Sequence, residues 1–268
     1  MTSRTSRFRL YEACTQNPSL LVQLLRAIHA GSPRLLREDF CGSAAVSRQW
    51  TRTVPRAAAV AVDIDPAPLA FARARRPRRV TLLTGNALST ATPRGARADI
   101  IFVGNFSIGE LHDRPSLLRY LRASRARLAR GGAFICDTYG GASAFARGSV
   151  QRTHTLPTRA ASAPLRIRYT WEQREADPLT GMVTNAIHFR VERAGEVIQT
   201  CTDAFAYRWR LWSIAELREA MREAGFRSSA VYADLPDARD SDGRCYARPI
   251  ESPDELAESY IVCVAGRA

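Results

Sequence analysis

Leu35-Leu36-Arg37-Glu38-Asp39-Phe40-Cys41-Gly42-Ser43-Ala44-Ala45 is the stretch on which the rest of the chain hangs. An apolar start runs into two acids and then into a turn around Gly42. That is how a strand hands over to a loop and helix at the ligand end of an open α/β sheet. Glycine at the centre of such a turn lets the backbone come close to a ligand where a side chain would clash. Outward from it, residues 57–62 form a short apolar run that ends at Asp63. Asp65 and Pro66 then supply an N-cap and a first helical position for a helix reaching to about Arg75.

The alternation continues. Residues 80–83 and 99–103 read as further strands, and Asp113-Arg114-Pro115 opens a helix whose apolar face is Leu117, Leu118, Leu121 and Leu128. Gly131-Gly132 is expected to end that helix, and residues 133–136 give a fifth strand ending at Asp137. Strands alternating with helices imply right-handed crossovers and a parallel sheet. Near Val150 the period changes to two. Leu165, Ile167, Tyr169 and Trp171 alternate with polar residues, and Val183, Ile187, Phe189 and Val191 do the same after the turn at Asp177-Pro178-Leu179-Thr180-Gly181. A third strand, 197–207, completes an antiparallel meander. Ser213 and Glu216 form a capping box for a last helix, followed by strands at 226–233 and 260–264.

The predicted fold is α/β: a Rossmann-like, seven-stranded, mostly parallel sheet with helices on both faces and an inserted β-meander. The organisation expected is a single domain over 1–268. It comprises an N-terminal helical lid at 1–30, a core at 31–149, the meander at 150–212 and a C-terminal completion of the sheet at 213–268.

Composition removes several function classes. The net charge is +13, yet the sequence has no lysine, so all 39 cationic residues of that class are arginine, scattered among acids rather than gathered in a basic tail. This pattern reads as a solvated surface, not a nucleic-acid interface. No apolar run approaches the roughly 18 residues of a membrane span, so a cytoplasmic protein without membrane contact is expected. The six cysteines show no C-x-x-C spacing and no accompanying histidine cluster, so no metal site is expected and the thiols should be free. A G-x-G-x-x-G dinucleotide fingerprint and a P-loop are both absent after the first strand.

The loop from Arg37 to Ala44, with Asp63 at the next strand end, resembles the glycine-rich loop of class I S-adenosylmethionine-dependent methyltransferases. Glu38 falls on the acid of the acid-x-Gly-x-Gly-x-Gly pattern, Phe40 on its first glycine, Gly42 on its second and Ala44 on its third. The string Arg37-Glu38-Asp39-Phe40-Cys41-Gly42 is also similar to a bacterial branch of that superfamily. So are Tyr11-Glu12, Gln16-Asn17-Pro18, Asp137-Thr138-Tyr139-Gly140-Gly141 and Tyr207-Arg208-Trp209-Arg210-Leu211-Trp212. The resemblance implies S-adenosyl-L-methionine as cofactor, held by Tyr11, Glu38, Cys41, Gly42, Asp63, Ile64, Asn86, Ala87, Asn105 and Phe106. Glu38 would accept from the methionine ammonium group, with Asp39 in that role if the register shifts by one. Asp63 would pair with the ribose hydroxyls, and Asn86, where the family usually has aspartate, would accept from the adenine amino group. Asn105 and Phe106 would lie beside the transferable methyl.

On the acceptor side the expectation is methyl transfer to oxygen or nitrogen of a small molecule, because the meander brings aromatic rings and no base-flipping motif follows the fourth strand. His112 is the best-placed general base and Tyr139 the second catalytic candidate. His154, in a loop-like stretch, and His188 are expected at the surface. Two other readings stand beside this one: a nucleic-acid methyltransferase, and a non-catalytic S-adenosylmethionine-binding module in which two loop glycines have been lost. The sequence is silent on oligomeric state.

Overall fold

Strands that are apolar on both faces have to be covered by helices on both sides. The computed structural model, which describes residues 5–15, 17–157 and 163–268, meets that demand. Gln16 of the upstream Gln16-Asn17-Pro18 stretch lies outside the described residues. The chain divides into two compact units. One is Pro18–Ala144 with Leu211–Ala268, and the other is Met1–Asn17 with Phe145–Arg210. The N-terminal 30 residues therefore separate: the helix α1 (Arg7–Thr15) goes with the second unit, and α2 (Pro18–His29) with the first.

The larger unit carries β1 (Leu35–Asp39), α3 (Ala45–Thr53), β2 (Ala58–Asp63), α4 (Pro66–Arg73), β3 (Val80–Thr84), β4 (Ala98–Val103), α5 (Arg114–Arg127) and β5 (Leu128–Gly141). After the insertion come α6 (Ile214–Glu223), β10 (Ser228–Ala233), the two-residue strands β11 (Ala238–Arg239) and β12 (Cys245–Tyr246), and β13 (Ser259–Arg267). Seven of these strands form one sheet in the order β10-β13-β5-β4-β1-β2-β3. The pairings from β5 to β3 are all parallel, and β13 runs antiparallel to both its neighbours. Ile100, Phe102, Ala133 and Ile135 pack with α2 and α3 on one face. Ile101, Val103, Phe134 and Cys136 pack with α5 and α6 on the other. Period-two alternation thus divides one apolar run between two cores.

The helix starts follow the expected chemistry. Asp65 accepts from Ala67 N–H at 2.8 Å, Asp113 from Ser116 N–H at 2.7 Å, and Ser213 and Glu216 form the reciprocal capping box. The end of α5 differs. The helix stops at Arg127, and Gly131-Gly132 lies inside β5 where the register against β4 shifts. A Cβ at Gly132 would stand 2.9 Å from the Ala129 carbonyl and 3.1 Å from those of Ala98 and Asp99. Gly132 permits this close approach and Gly131 takes the left-handed backbone beside it (φ 75°), so the pair serves a bulged strand, not a helix cap.

The second unit is a four-stranded antiparallel sheet, β6 (Gly148–Leu156), β7 (Leu165–Asp177), β8 (Met182–Arg193) and β9 (Glu196–Arg210), in that order. Three strands were expected. β6 escapes the pattern because most of its residues are exposed, so an edge strand with one ladder needs no apolar alternation. His154 therefore lies on a strand, edge-on to Tyr169 at 6.2 Å. His188 is half-buried on β8, held by Glu172 at 3.0 Å and accepting from Asp203 N–H. α1 contributes Leu10 and Cys14 to the same core as Leu165, Ile167, Ile187 and Phe189. Among the described residues no helix is long and apolar enough to cross a membrane. All six cysteines are free thiols.

Candidate functional site

The carboxyl ends of β1, β2, β3, β4 and β5 lie along one edge of the sheet, and strand order reverses between the paired neighbours β1 and β4. The loop after β1 has left-handed backbone at every second residue: Phe40 (φ 55°), Gly42 (φ 51°) and Ala44 (φ 54°). These are the three positions at which the sequence pattern asks for glycine. A left-handed non-glycine residue costs about 1–2 kcal/mol. Phe40 offsets this by packing its ring edge-on against Tyr120 at 5.9 Å, and Ala44 by complete burial. A Cβ built at Gly42 meets no protein atom within 4 Å, so the open side of the turn faces away from the fold.

Asp63 braces this turn. Its Oδ2 accepts from Gly42 N–H at 2.6 Å, its Oδ1 from Asp65 N–H at 2.9 Å, and its carbonyl from Gly85 N–H at 2.8 Å. One aspartate thereby ties together the ends of three strands. Burial raises its carboxyl above the ordinary range. Each oxygen still has a second lone pair for a ligand hydroxyl. Ile64, the next residue, is 70% exposed, an apolar surface presented at the strand end. Cys41 points the other way: its thiol is buried with Ala44, Ala61, Leu69 and Ala72, and burial keeps it protonated. Its Sγ donates to the Gly42 carbonyl of the turn at 3.7 Å, and Cys41 N–H donates to the Val62 carbonyl at 3.0 Å.

The two acids of β1 have different tasks. Glu38 is 4% exposed, and its Oε2 accepts from Ser47 N–H at 2.8 Å in the first turn of α3. Burial pushes its carboxyl up to about 7. Asp39 is fully buried and committed on both oxygens, to Arg37 Nε at 2.9 Å and to the Tyr120 hydroxyl at 2.9 Å. That leaves Glu38 as the acid of the loop. Arg37, which sequence reasoning passed over, is also fully buried. It donates to Thr92 Oγ1 at 3.2 Å and to the carbonyls of Ala87 (3.3 Å) and Thr90 (2.9 Å). Arg127 donates to the same Ala87 carbonyl at 2.9 Å. The backbone at Asn86-Ala87 is thus fixed from below by two guanidinium groups. Asn86 Oδ1 accepts from Leu88 N–H at 2.8 Å, closing the turn after β3 with one lone pair to spare.

At the end of β4, Asn105 (φ 55°) and Phe106 (φ 62°) are consecutive left-handed residues. Both of their N–H groups donate to one carboxylate, Asp137 on β5, at 2.8 and 2.6 Å. Asp137 is half-buried, and desolvation pushes it up to about 7. The sequence placed Asp137 at a strand end without giving it this role. The turn sets the Phe106 ring edge-on to Tyr139 at 4.9 Å, so a cofactor candidate and a catalytic candidate meet. His112 is exposed, immediately before the α5 N-cap Asp113. Tyr11 belongs to the meander unit, where its ring lies 4.9 Å from Phe205. Among the described residues no group of His, Cys, Asp and Glu is placed to hold a metal ion.

No family model matches this chain, and no curated protein does. Solved structures match it over nearly its whole length. CalS10, an amino pentose methyltransferase from Micromonospora echinaspora with S-adenosylmethionine bound, is 16% identical, covering 100% of this chain and 99% of its own, with a TM-score of 0.67. KedS8, a sugar N-methyltransferase from a Streptoalloteichus species, is 15% identical, covering 100% and 95%, with a TM-score of 0.65. An S-adenosylmethionine-dependent methyltransferase from Clostridium acetobutylicum is 13% identical, covering 97% and 96%, with a TM-score of 0.64. At such identities the shared property is the fold.

Proposed function

We propose that this protein is an S-adenosylmethionine-dependent methyltransferase acting on oxygen or nitrogen of a small-molecule acceptor. The observation that carries the reading is the loop after β1: left-handed backbone at residues 40, 42 and 44, open at Gly42 and braced by Asp63, at the switch point of the sheet. The residues present suit the cofactor. Glu38 offers a buried carboxylate for an ammonium group, Asp63 offers free lone pairs for ribose hydroxyls, and exposed Ile64 offers an apolar face for adenine. Asn86-Ala87 present a rigid backbone edge, and Asn105-Phe106 line the methyl end. Cys41 steadies the turn with its backbone and its buried thiol, and Tyr11 is assigned to the cofactor by the resemblance alone.

S-adenosylmethionine supplies an electrophilic methyl on a sulfonium centre, and transfer is a direct displacement that depends on alignment and exclusion of water. The chain's task is positioning. Tyr139 is the stronger acceptor-side candidate because it contacts Phe106; His112 is the second. We further assign the chain to the bacterial branch marked by residues 37–42. We assign it to the cytoplasm, where free thiols stay reduced. The folds shared with small-molecule methyltransferases support this reading over a nucleic-acid substrate.

The test is calorimetric titration with S-adenosylmethionine and S-adenosylhomocysteine, with NAD and ATP as controls. Micromolar binding of the first two alone is expected. Asp63→Ala should weaken it by about 100-fold, in line with losing charge-assisted bonds to two hydroxyls. Binding of NAD instead, or unchanged affinity in Asp63→Ala, removes the cofactor assignment.

A further inference from the structure

Two arginines converge on one backbone carbonyl beneath the loop after β3. Successive residues of β1 point to opposite sides of the sheet. Glu38 turns toward α3, while Arg37 and Asp39 turn toward α5, where Asp39 meets Tyr120. From there the Arg37 guanidinium reaches the 87–92 segment, although β3 lies two strands away in the sheet. Arg127, at the end of α5, donates to the carbonyls of Ala87 at 2.9 Å and Leu88 at 2.5 Å. The Ala87 carbonyl is thus shared by both guanidinium groups, and among the described residues Asp39 is the one carboxylate bonded to the pair. Placing two like charges together away from water is costly, and a turn needs no cation to close.

The held carbonyl belongs to a peptide plane whose other end touches the site. In a trans peptide the C=O and the following N–H point in opposite directions. With the Ala87 carbonyl turned to the arginines, Leu88 N–H points away from them and donates to Asn86 Oδ1 at 2.8 Å. The Asn86 carbonyl closes the same turn by accepting from Ser89 N–H at 3.1 Å and Thr90 N–H at 2.8 Å. A backbone N–H only donates, so the amide atom facing it is the oxygen. A half-turn of the amide would set N–H against N–H. The amide of exposed Asn86 is therefore locked in one orientation, with an acceptor lone pair and the Nδ2 donors side by side for a ligand. A purine that carries an amino group beside a ring nitrogen matches that order, donating to Oδ1 and accepting from Nδ2. An oxo-purine reverses donor and acceptor along its pyrimidine edge and fits only the flipped amide.

We propose that Arg37 and Arg127 are positioning residues for the base: through the 87–88 peptide they lock the Asn86 amide, and so make the site select an amino-purine over an oxo-purine. The inference rests on the cofactor reading above and adds to it the source of base selectivity.

The experiment measures calorimetric affinities of the full-length protein for S-adenosylhomocysteine and for S-inosylhomocysteine, its analogue with an oxo group in place of the amino group. The wild type should prefer the adenosyl ligand by about tenfold or more. Arg127→Met removes one holder of the peptide from a half-buried position. It should cut the preference to about threefold or less, with the inosyl ligand bound more tightly than by the wild type, because the freed amide turns over. Damage to the fold weakens both ligands and raises neither affinity. Arg37→Lys keeps a charge for Asp39 but gives up the fork that spans Thr92, Ala87 and Thr90, and should act in the same direction. A carboxylate is unchanged by a half-turn. Arg127→Met in an Asn86→Asp background should therefore leave the affinity ratio where Asn86→Asp alone sets it. A ratio that stays at the wild-type value in either arginine variant overturns the proposal, whatever the two affinities do in common. A wild type that binds the two ligands equally also overturns it and leaves the cofactor reading standing. A wild type that binds neither removes the cofactor reading and this inference together.

Discussion

Two left-handed positions beside Gly42 are filled by Phe40 and Ala44, and the difference between those three residues is the most local test of the site. Ala44 sits at φ 54° with its methyl completely buried. Ala44→Gly relieves about 1 kcal/mol of backbone strain and gives up roughly 0.8 kcal/mol of buried methyl. Urea unfolding should place it within about 1 kcal/mol of the parent. Gly42→Ala behaves differently. Its Cβ finds open space in the fold, so apo stability should fall by only about 1 kcal/mol, yet that Cβ occupies the ligand side of the turn. A tenfold or larger loss of cofactor affinity is expected by calorimetry, and equal affinity would place the ligand elsewhere. Glu38, Gly42 and Asp63 were legible in the sequence because glycine and acids at strand ends carry a direct signal. Arg37 was not. A buried arginine in a strand looks like a surface residue until Asp39 beside it is joined by three acceptors from residues far along the chain, Thr92, Ala87 and Thr90.

At the scale of elements, apolar periodicity found the central strands and capping chemistry found the helix starts. Both are local codes. What they missed was non-local. β6 has almost no buried residue of its own and exists through its ladder with β7. Gly131-Gly132 looks like a helix stop, but the tertiary contacts of β4 make it a strand bulge. Asp137 is the element-scale device at the site, since it joins β5 to the turn after β4 through two N–H groups. Asp137→Asn can satisfy only one of them and turns an amide donor toward the other. Thermal unfolding should show a loss of about 1–3 kcal/mol, with S-adenosylmethionine affinity reduced in parallel because Phe106 is no longer held. The deficit should be largest near pH 4–5 and shrink as pH rises to 7, because the native carboxyl, raised to about 7, holds its proton where the unfolded chain has lost it, an advantage that the non-titrating amide lacks, with no further change above 7. A variant with parental stability and affinity at pH 5 would show that the turn holds itself.

For the whole molecule, the ligand end of the sheet concentrates two carboxyls, buried Glu38 and half-buried Asp137, both pushed up to about 7 by desolvation. A carboxyl raised in the fold keeps its proton at pH values where the unfolded chain has already lost it. These two groups therefore make the ligand-free protein less stable as pH rises from about 4 to 7, by up to ~1.4 kcal/mol per pH unit each, with no further change above 7. An ammonium group beside Glu38 reverses the sign for that residue, because it favours the carboxylate and expels the proton. S-adenosylmethionine should bind on the order of tenfold more tightly at pH 7.0 than at pH 5.5. The window ends there because an α-amino group itself titrates at about 7.7–8.0. Titrations at the two pH values, each in buffers of different ionisation enthalpy, read both the affinity and the protons released. Glu38→Gln should bind more weakly, show a flat pH dependence and release no proton. A wild-type affinity that is the same at both pH values would mean that Glu38 does not face the ammonium group. Its hydrogen bond to Ser47 at the start of α3 would then be its whole role, and the acid of the loop would be a helix cap rather than a cofactor ligand.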